Sequence, residues 1–175
     1  MKLLITLVLF ACTIFSFMLL RPTGKKLYTP ETRLGILNLE FAYDTDHTSK
    51  ILHAWQADEK IRIAKENTYL DFVFLVFYSI FLFYTCKYLS KKITGNMRNF
   101  GLLLSKGSLI AGGLDIIENS GMLLTLSGNQ SGFIPLATAI CATIKWLIAL
   151  LAILYVLFVS PYALYVSLKN KSSVS

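Results

Sequence analysis

Charge is scarce in this chain. Only 15% of its 175 residues are Asp, Glu, Lys or Arg, against 55% hydrophobic, a balance that a soluble domain of this size rarely shows. Histidine is scarcer still. His47 and His53 are the only two, and both lie outside the long apolar runs, which excludes a bis-histidine haem inside a membrane. Asp44, Asp46 and His47 are metal-ligand types, but their spacing fixes no geometry and a solvated turn is the simpler reading. The three cysteines, Cys12, Cys86 and Cys141, are far apart and form no CxxC pair. That removes both a disulfide framework and thiol-oxidase chemistry. Walker A, HExxH, GxSxG and GxGxxG patterns are all missing, so no soluble-enzyme motif is available. No metal or other cofactor is expected.

What remains is four long apolar blocks. They predict an all-α fold: a four-helix transmembrane bundle, one membrane domain over residues 1–175. The spans read as about 3–20, 68–88, 100–127 and 133–159, with an amphipathic helical segment over 21–67 on the non-cytoplasmic side. The first block is too long for a signal-peptide core and lacks a small-x-small cleavage site, so it reads as an uncleaved span; Leu9-Phe10-Ala11-Cys12 resembles a lipoprotein box only loosely. Pro22, Gly24 and Pro30 should break the chain after it. Pro30-Glu31 then reads as a helix start, with Leu34, Ile36, Leu37, Leu39 and Phe41 as its apolar stripe. Asp46 or Thr45 would cap a second helix carrying Ile51, Leu52 and Trp55. Ser160-Pro161 should end the last span, leaving a tail that is interfacial and then disordered.

The net charge of +7 follows membrane topology and does not call for nucleic acid. Lys2, the loop holding Lys87, Lys91, Lys92 and Arg98, and Lys169 with Lys171 fall on one side without balancing acids. The positive-inside rule then puts both termini in the cytoplasm and the protein in the cell (inner) membrane as a multi-pass protein.

Ionisable residues inside the spans are the functional lead. In the third span Ser108, Gly112, Asp115 and Asn119 share one helical face, bordered by Ala111 and Glu118. In the fourth, Thr138, Cys141, Ala142, Lys145, Ala149 and Ala152 form a small-residue stripe opposite Ile140, Ile144, Leu147, Leu151 and Leu154. Asp115 lies 13 residues before Gly128 and Lys145 lies 13 after Gly132, which puts both ~20 Å from the connecting turn and at one depth in an antiparallel hairpin. Unpaired charge at that depth costs at least ~2.5–3.5 kcal/mol, so the two faces should pack together with Lys145 against Asp115, Glu118 or both. Two acids then face one base. The cluster can be read as a ligand, ion or proton site, or as a buried ion pair that only fixes helix register. Asp71, on one face with Leu75 and Tyr78, either gates that site or caps the start of the second span. Trp55 reads as an interfacial anchor lining the entrance and Trp146 as a packing residue. The candidate ligand-binding set is Asp115, Glu118, Asn119, Lys145, Asp71, Trp55 and Tyr78.

ILHAWQADEK, YLDFVFLVFYSIFL, AGGLDIIENSGMLL and the step IKW together resemble a family of uncharacterised bacterial four-span integral membrane proteins, with LDxxEN the most specific part. The resemblance covers roughly Ile36 to Leu157 and implies fold and topology only. Four spans, cytoplasmic termini and buried carboxylates are similar, in architecture alone, to the sigma-2/emopamil-binding (EXPERA) group. The leading expectation is binding of a hydrophobic or amphiphilic small molecule or lipid in a midplane polar pocket. The alternatives are an acid/base enzyme acting on a lipid, proton-coupled transport through a homo-oligomer, and a structural or assembly subunit. The expected partners are the lipid bilayer and an amphiphilic ligand.

Overall fold

The computed structural model describes residues 2–129 and 131–172. It is an all-α four-span bundle, and the protein is a multi-pass membrane protein. Six helices follow in order: α1 Lys2–Lys26, α2 Leu37–Glu40, α3 Thr45–Ala57, α4 Ile61–Ser90, α5 Asn96–Leu126 and α6 Phe133–Ser172. Four of them, α1, α4, α5 and α6, are long and apolar enough to cross a bilayer. The central helix is α5, packed between α4 and α6, while α1 lies along the outer side of α4. Phe10 meets Phe81 at 5.4 Å between ring centroids and Phe17 meets Phe74 at 5.9 Å. Small residues set the α4–α5 approach: a side chain on Gly112 would sit 2.9 Å from Ser79, too close for any β-carbon, so the helices could not pack this tightly around a larger residue.

The predicted outward faces hold. Ile140, Ile144, Leu147, Leu151 and Leu154 of α6 are exposed, while Thr138, Ala142, Lys145 and Ala152 are buried. Two apolar clusters form the core. One joins α4, α5 and α6 near the basic loop, with Leu82, Cys86, Leu104 and Tyr155; the other joins the 27–64 segment to α5 through Leu27, Trp55, Met122 and Leu126. Polar residues fill the layer between them.

Several boundaries differ from the sequence reading. Pro22 lies inside α1, which continues to Lys26. The backbone beside it is served by side chains: the Leu20 carbonyl accepts from Thr23 Oγ1 at 2.8 Å and from Asn67 Nδ2 at 3.0 Å. A proline inside a membrane helix leaves the carbonyl four residues back, here that of Met18, without its helical donor. Pro161 is likewise inside α6, which runs to Ser172 rather than ending at residue 159; of the tail expected to be disordered, residues 173–175 lie outside the described residues, as does Gln130 of the turn.

No helix starts at Pro30-Glu31. Thr29 Oγ1 instead accepts the backbone N–H groups of Glu31 (3.2 Å) and Thr32 (3.0 Å), and Gly35 turns left-handed at φ 60°, so only the single turn of α2 is helical. The cap of α3 is neither Asp46 nor Thr45 but Asp44, whose carboxylate accepts the His47 N–H at 2.7 Å. That bond holds the Asp44 carboxyl below its ordinary value. The stripe expected on this helix is buried as read: Ile51, Leu52 and Trp55 face inward. α4 begins at Ile61, two turns before residue 68, and that shift changes the role of Asp71.

Candidate functional site

The antiparallel α5–α6 hairpin brings Asp115, Glu118 and Lys145 together at one depth. Lys145 Nζ donates to Asp115 Oδ1 at 2.6 Å and to Glu118 Oε1 at 2.8 Å. All three side chains are buried, Glu118 completely. Lys145 thus bonds both acids rather than choosing one.

A second arm of the network reaches α4. Tyr78 Oη donates to Asp115 Oδ2 at 2.8 Å, and Asn119 Nδ2 donates to Asp71 Oδ2 at 2.7 Å. Asp71 is therefore not a helix cap. It stands about ten residues into α4, ~15 Å from its start at ~1.5 Å per residue, beyond the reach of the helix-end dipole. That depth is where Asn119 and Asp115 lie on the neighbouring helix.

A third arm comes from the segment between the first two spans. Glu40, the last residue of α2, is buried. Its Oε2 accepts from the Trp146 indole N–H at 3.0 Å and lies 3.9 Å from Lys145 Nζ. Four carboxyl groups, Glu40, Asp71, Asp115 and Glu118, thus gather around one lysine. The sequence reading found the last three and missed Glu40. One signal was available: Glu40 is the only charge in Leu34–Tyr43, and an isolated acid in an apolar stretch is seldom left in lipid or core without a partner. Acceptors also exceed donors. Glu118 Oε2 and Asn119 Oδ1 are buried with no protein partner, leaving the cluster with spare capacity for a donor or cation.

The two tryptophans exchange the roles expected of them. Trp55 is fully buried in the cap, donating to the Leu27 carbonyl at 3.0 Å and to Thr32 Oγ1 at 3.2 Å. It is a core residue and lines no entrance. Trp146 is half-exposed and stands at the edge of the ion cluster through its bond to Glu40.

Beside the cluster lies a cavity of about 590 Å³, within the ~300–1,000 Å³ range of small-molecule sites. Most of its wall is apolar, with Phe17 and Leu20 of α1, Phe74 and Phe81 of α4 and Ile153 of α6 prominent. Its polar floor holds Glu40, Asp71, Tyr78, Asp115 and Lys145. Glu118 and Asn119 stand behind that floor, outside the lining. Because α1 packs chiefly on α4, the cavity lies on the side of the bundle where α1 and α6 face one another across a gap. No group of three or more His, Cys, Asp or Glu side chains is placed to hold a metal ion among the described residues.

No family is shown. No family model matches the chain, and neither curated proteins nor solved structures give a match.

Proposed function

We propose that this protein binds an amphiphilic small molecule or lipid in the cavity between α1, α4, α6 and the 27–43 segment. One observation carries this reading: an apolar chamber of about 590 Å³ ends in a floor of charged side chains. That is the division of labour of a ligand site, in which apolar walls supply affinity and a few placed polar groups fix orientation. Tyr78 and Lys145 donate to Asp115 and Glu118 and leave the lining carboxylates of Asp71 and Glu40 short of donors, so the bound head group brings at least one donor. Lys145 holds Asp115 and Glu118 in place, Tyr78 and Asn119 orient Asp115 and Asp71, and Asp71 and Glu40 are left to face the guest. Entry is from the bilayer, through the α1–α6 gap. The acid-free basic loop at 87–98 orients the chain with both termini in the cytoplasm of the cell membrane.

The test is photolabelling with a single-chain amphiphile that carries a diazirine in its tail. Adducts should concentrate on cavity residues such as Phe17, Phe74 and Ile153. An even spread over outward residues such as Leu150 and Phe158 would refute the reading.

A second reading is favoured by the Tyr78–Asp115–Lys145 chain on the cavity floor. A hydroxyl, a carboxylate and an amine within hydrogen-bond reach form a proton relay of the kind that general acid/base isomerisation of a bound lipid needs. Tyr78→Phe would then abolish turnover and leave photolabelling intact.

A further inference from the structure

The lining of the cavity is not only acidic. Arg21 and Lys25 occupy the face of α1 that also presents Thr13, Phe17 and Gly24 to the chamber. Neither forms an ion pair among the described residues. Two unpaired cations one turn apart on a helix repel each other. Their position is not explained by topology either, because the basic loop that orients the chain is at the opposite end of the bundle. Resting on the cavity reading above, we infer that the guest is a zwitterionic amphiphile of the phosphoethanolamine class, its phosphate held by Arg21 and Lys25 and its ammonium by Asp71.

The register supports this pairing. Asn67 Nδ2 bonds the Leu20 carbonyl at 3.0 Å and Thr23 Oγ1 at 2.8 Å, which fixes the Leu20–Thr23 turn level with Asn67. Asp71 is one turn further along α4, ~6 Å deeper at ~1.5 Å per residue. A phosphate at the mouth and an amine one short linker below it match that offset. The phosphate then sits at a bend in the guest: the ethanolamine arm descends one turn to Asp71, and the glycerol and acyl chain descend beside it into the space lined by Phe17, Phe74, Phe81 and Ile153. Arginine and lysine suit a phosphate through charge-assisted hydrogen bonds, and an ammonium on Asp71 supplies the donor that the floor lacks. An anionic lipid without the amine would leave Asp71 unmet; a simple alkylamine would leave Arg21 and Lys25 unmet.

The experiment uses the full chain in detergent and reads the fluorescence of Trp146, which lines the cavity, with Trp146→Phe as the control for signal from the buried Trp55. Three single-chain probes are titrated: lysophosphatidylethanolamine, lysophosphatidylglycerol and a dodecylamine. The first should bind at least tenfold more tightly than either of the others. Arg21→Gln with Lys25→Gln should weaken both phospholipids and spare the amine. Asp71→Asn should erase the preference for ethanolamine over glycerol. Soluble phosphoethanolamine should bind at least a hundredfold more weakly than its lysolipid; equal binding would overturn the lipid assignment. If all three probes bind alike while photolabelling still maps to the cavity, the head-group inference fails and the cavity reading survives. If no probe binds and labelling is also diffuse, both fail.

Discussion

Removing Lys145 is the perturbation with the largest consequence that the structure allows to be worked out. In Lys145→Met the side chain keeps much of its volume, so packing of the α5–α6 interface is nearly preserved. The charge is not. Asp115 loses a partner at 2.6 Å, Glu118 one at 2.8 Å and Glu40 one at 3.9 Å. Glu118 is left with no hydrogen-bond partner at either oxygen. Breaking a buried ion pair from one side costs ~3–5 kcal/mol, because the orphaned charge stays buried. For a chain of this length, where 1 kcal/mol shifts a midpoint by ~2–4 °C, the expected fall is ~6–20 °C. The compensated variant separates charge from packing. Lys145→Met with Asp115→Asn and Glu118→Gln removes the orphaned acids and should recover much of the loss, since neither acid is then left as a buried charge without its lysine. The assay is thermal unfolding in detergent, followed by size-exclusion of the surviving monodisperse fraction. A single variant as stable as wild type, or a triple variant no better than the single, would refute the argument.

Three further predictions follow from particular contacts. Gly112→Val places a β-carbon 2.9 Å from Ser79 and should separate α4 from α5 at a loss of ~1–3 kcal/mol, read as a lower unfolding midpoint; Gly113→Val, where nothing lies within 4 Å, should be neutral by the same measure. Asn67→Leu removes two hydrogen bonds to the end of α1, ~0.5–1.5 kcal/mol each, and should speed amide exchange in residues 18–26 without changing that of α5. Asp44→Ala should speed exchange at the first turn of α3. In the wild type that capping contribution is fully present above the unfolded carboxylate value of 3.8 and is lost as pH falls through the lower folded value. Protection at residues 45–48, measured relative to the intrinsic exchange rate at each pH, that does not fall in acid would count against the cap.

What could be read in advance followed from what a bilayer enforces. Four apolar blocks long enough to cross gave four helices, because lipid leaves the backbone few other ways to satisfy its hydrogen bonds. Asp115 and Lys145 could be paired by counting from the turn, since a hairpin of two helices converts residue number into depth. The errors fall where tertiary partners decide. Asp71 reads as a cap because Arg62, Lys65, Glu66 and Asn67 hide the true start of α4, and Asn67 is buried against α1 rather than solvated. Pro22 and Pro161 read as ends, yet α1 and α6 run through them, because a membrane helix tolerates the loss of one backbone bond when its neighbours hold it in place. Glu40 was out of reach of helical periodicity: its segment folds as turns held by Thr29 and Thr32, and only that path delivers it to Lys145. Trp55 lies outside the apolar blocks and reads as an anchor while Trp146 lies inside one and reads as packing, and only the fold shows that the first is sealed by the cap and the second opens on the cavity.

The central claim is that the chamber beside the ion cluster holds a guest. The most direct measurement is mass spectrometry of small molecules that co-purify with wild-type protein and with Ala149→Trp, which fills the chamber from α6 while leaving every charged residue in place. A defined amphiphile enriched over bulk lipid in the wild type and lost in the variant is the predicted result. Identical lipid profiles from the two samples, both matching the bulk membrane, would contradict it and leave the four acids and their lysine as a structural core.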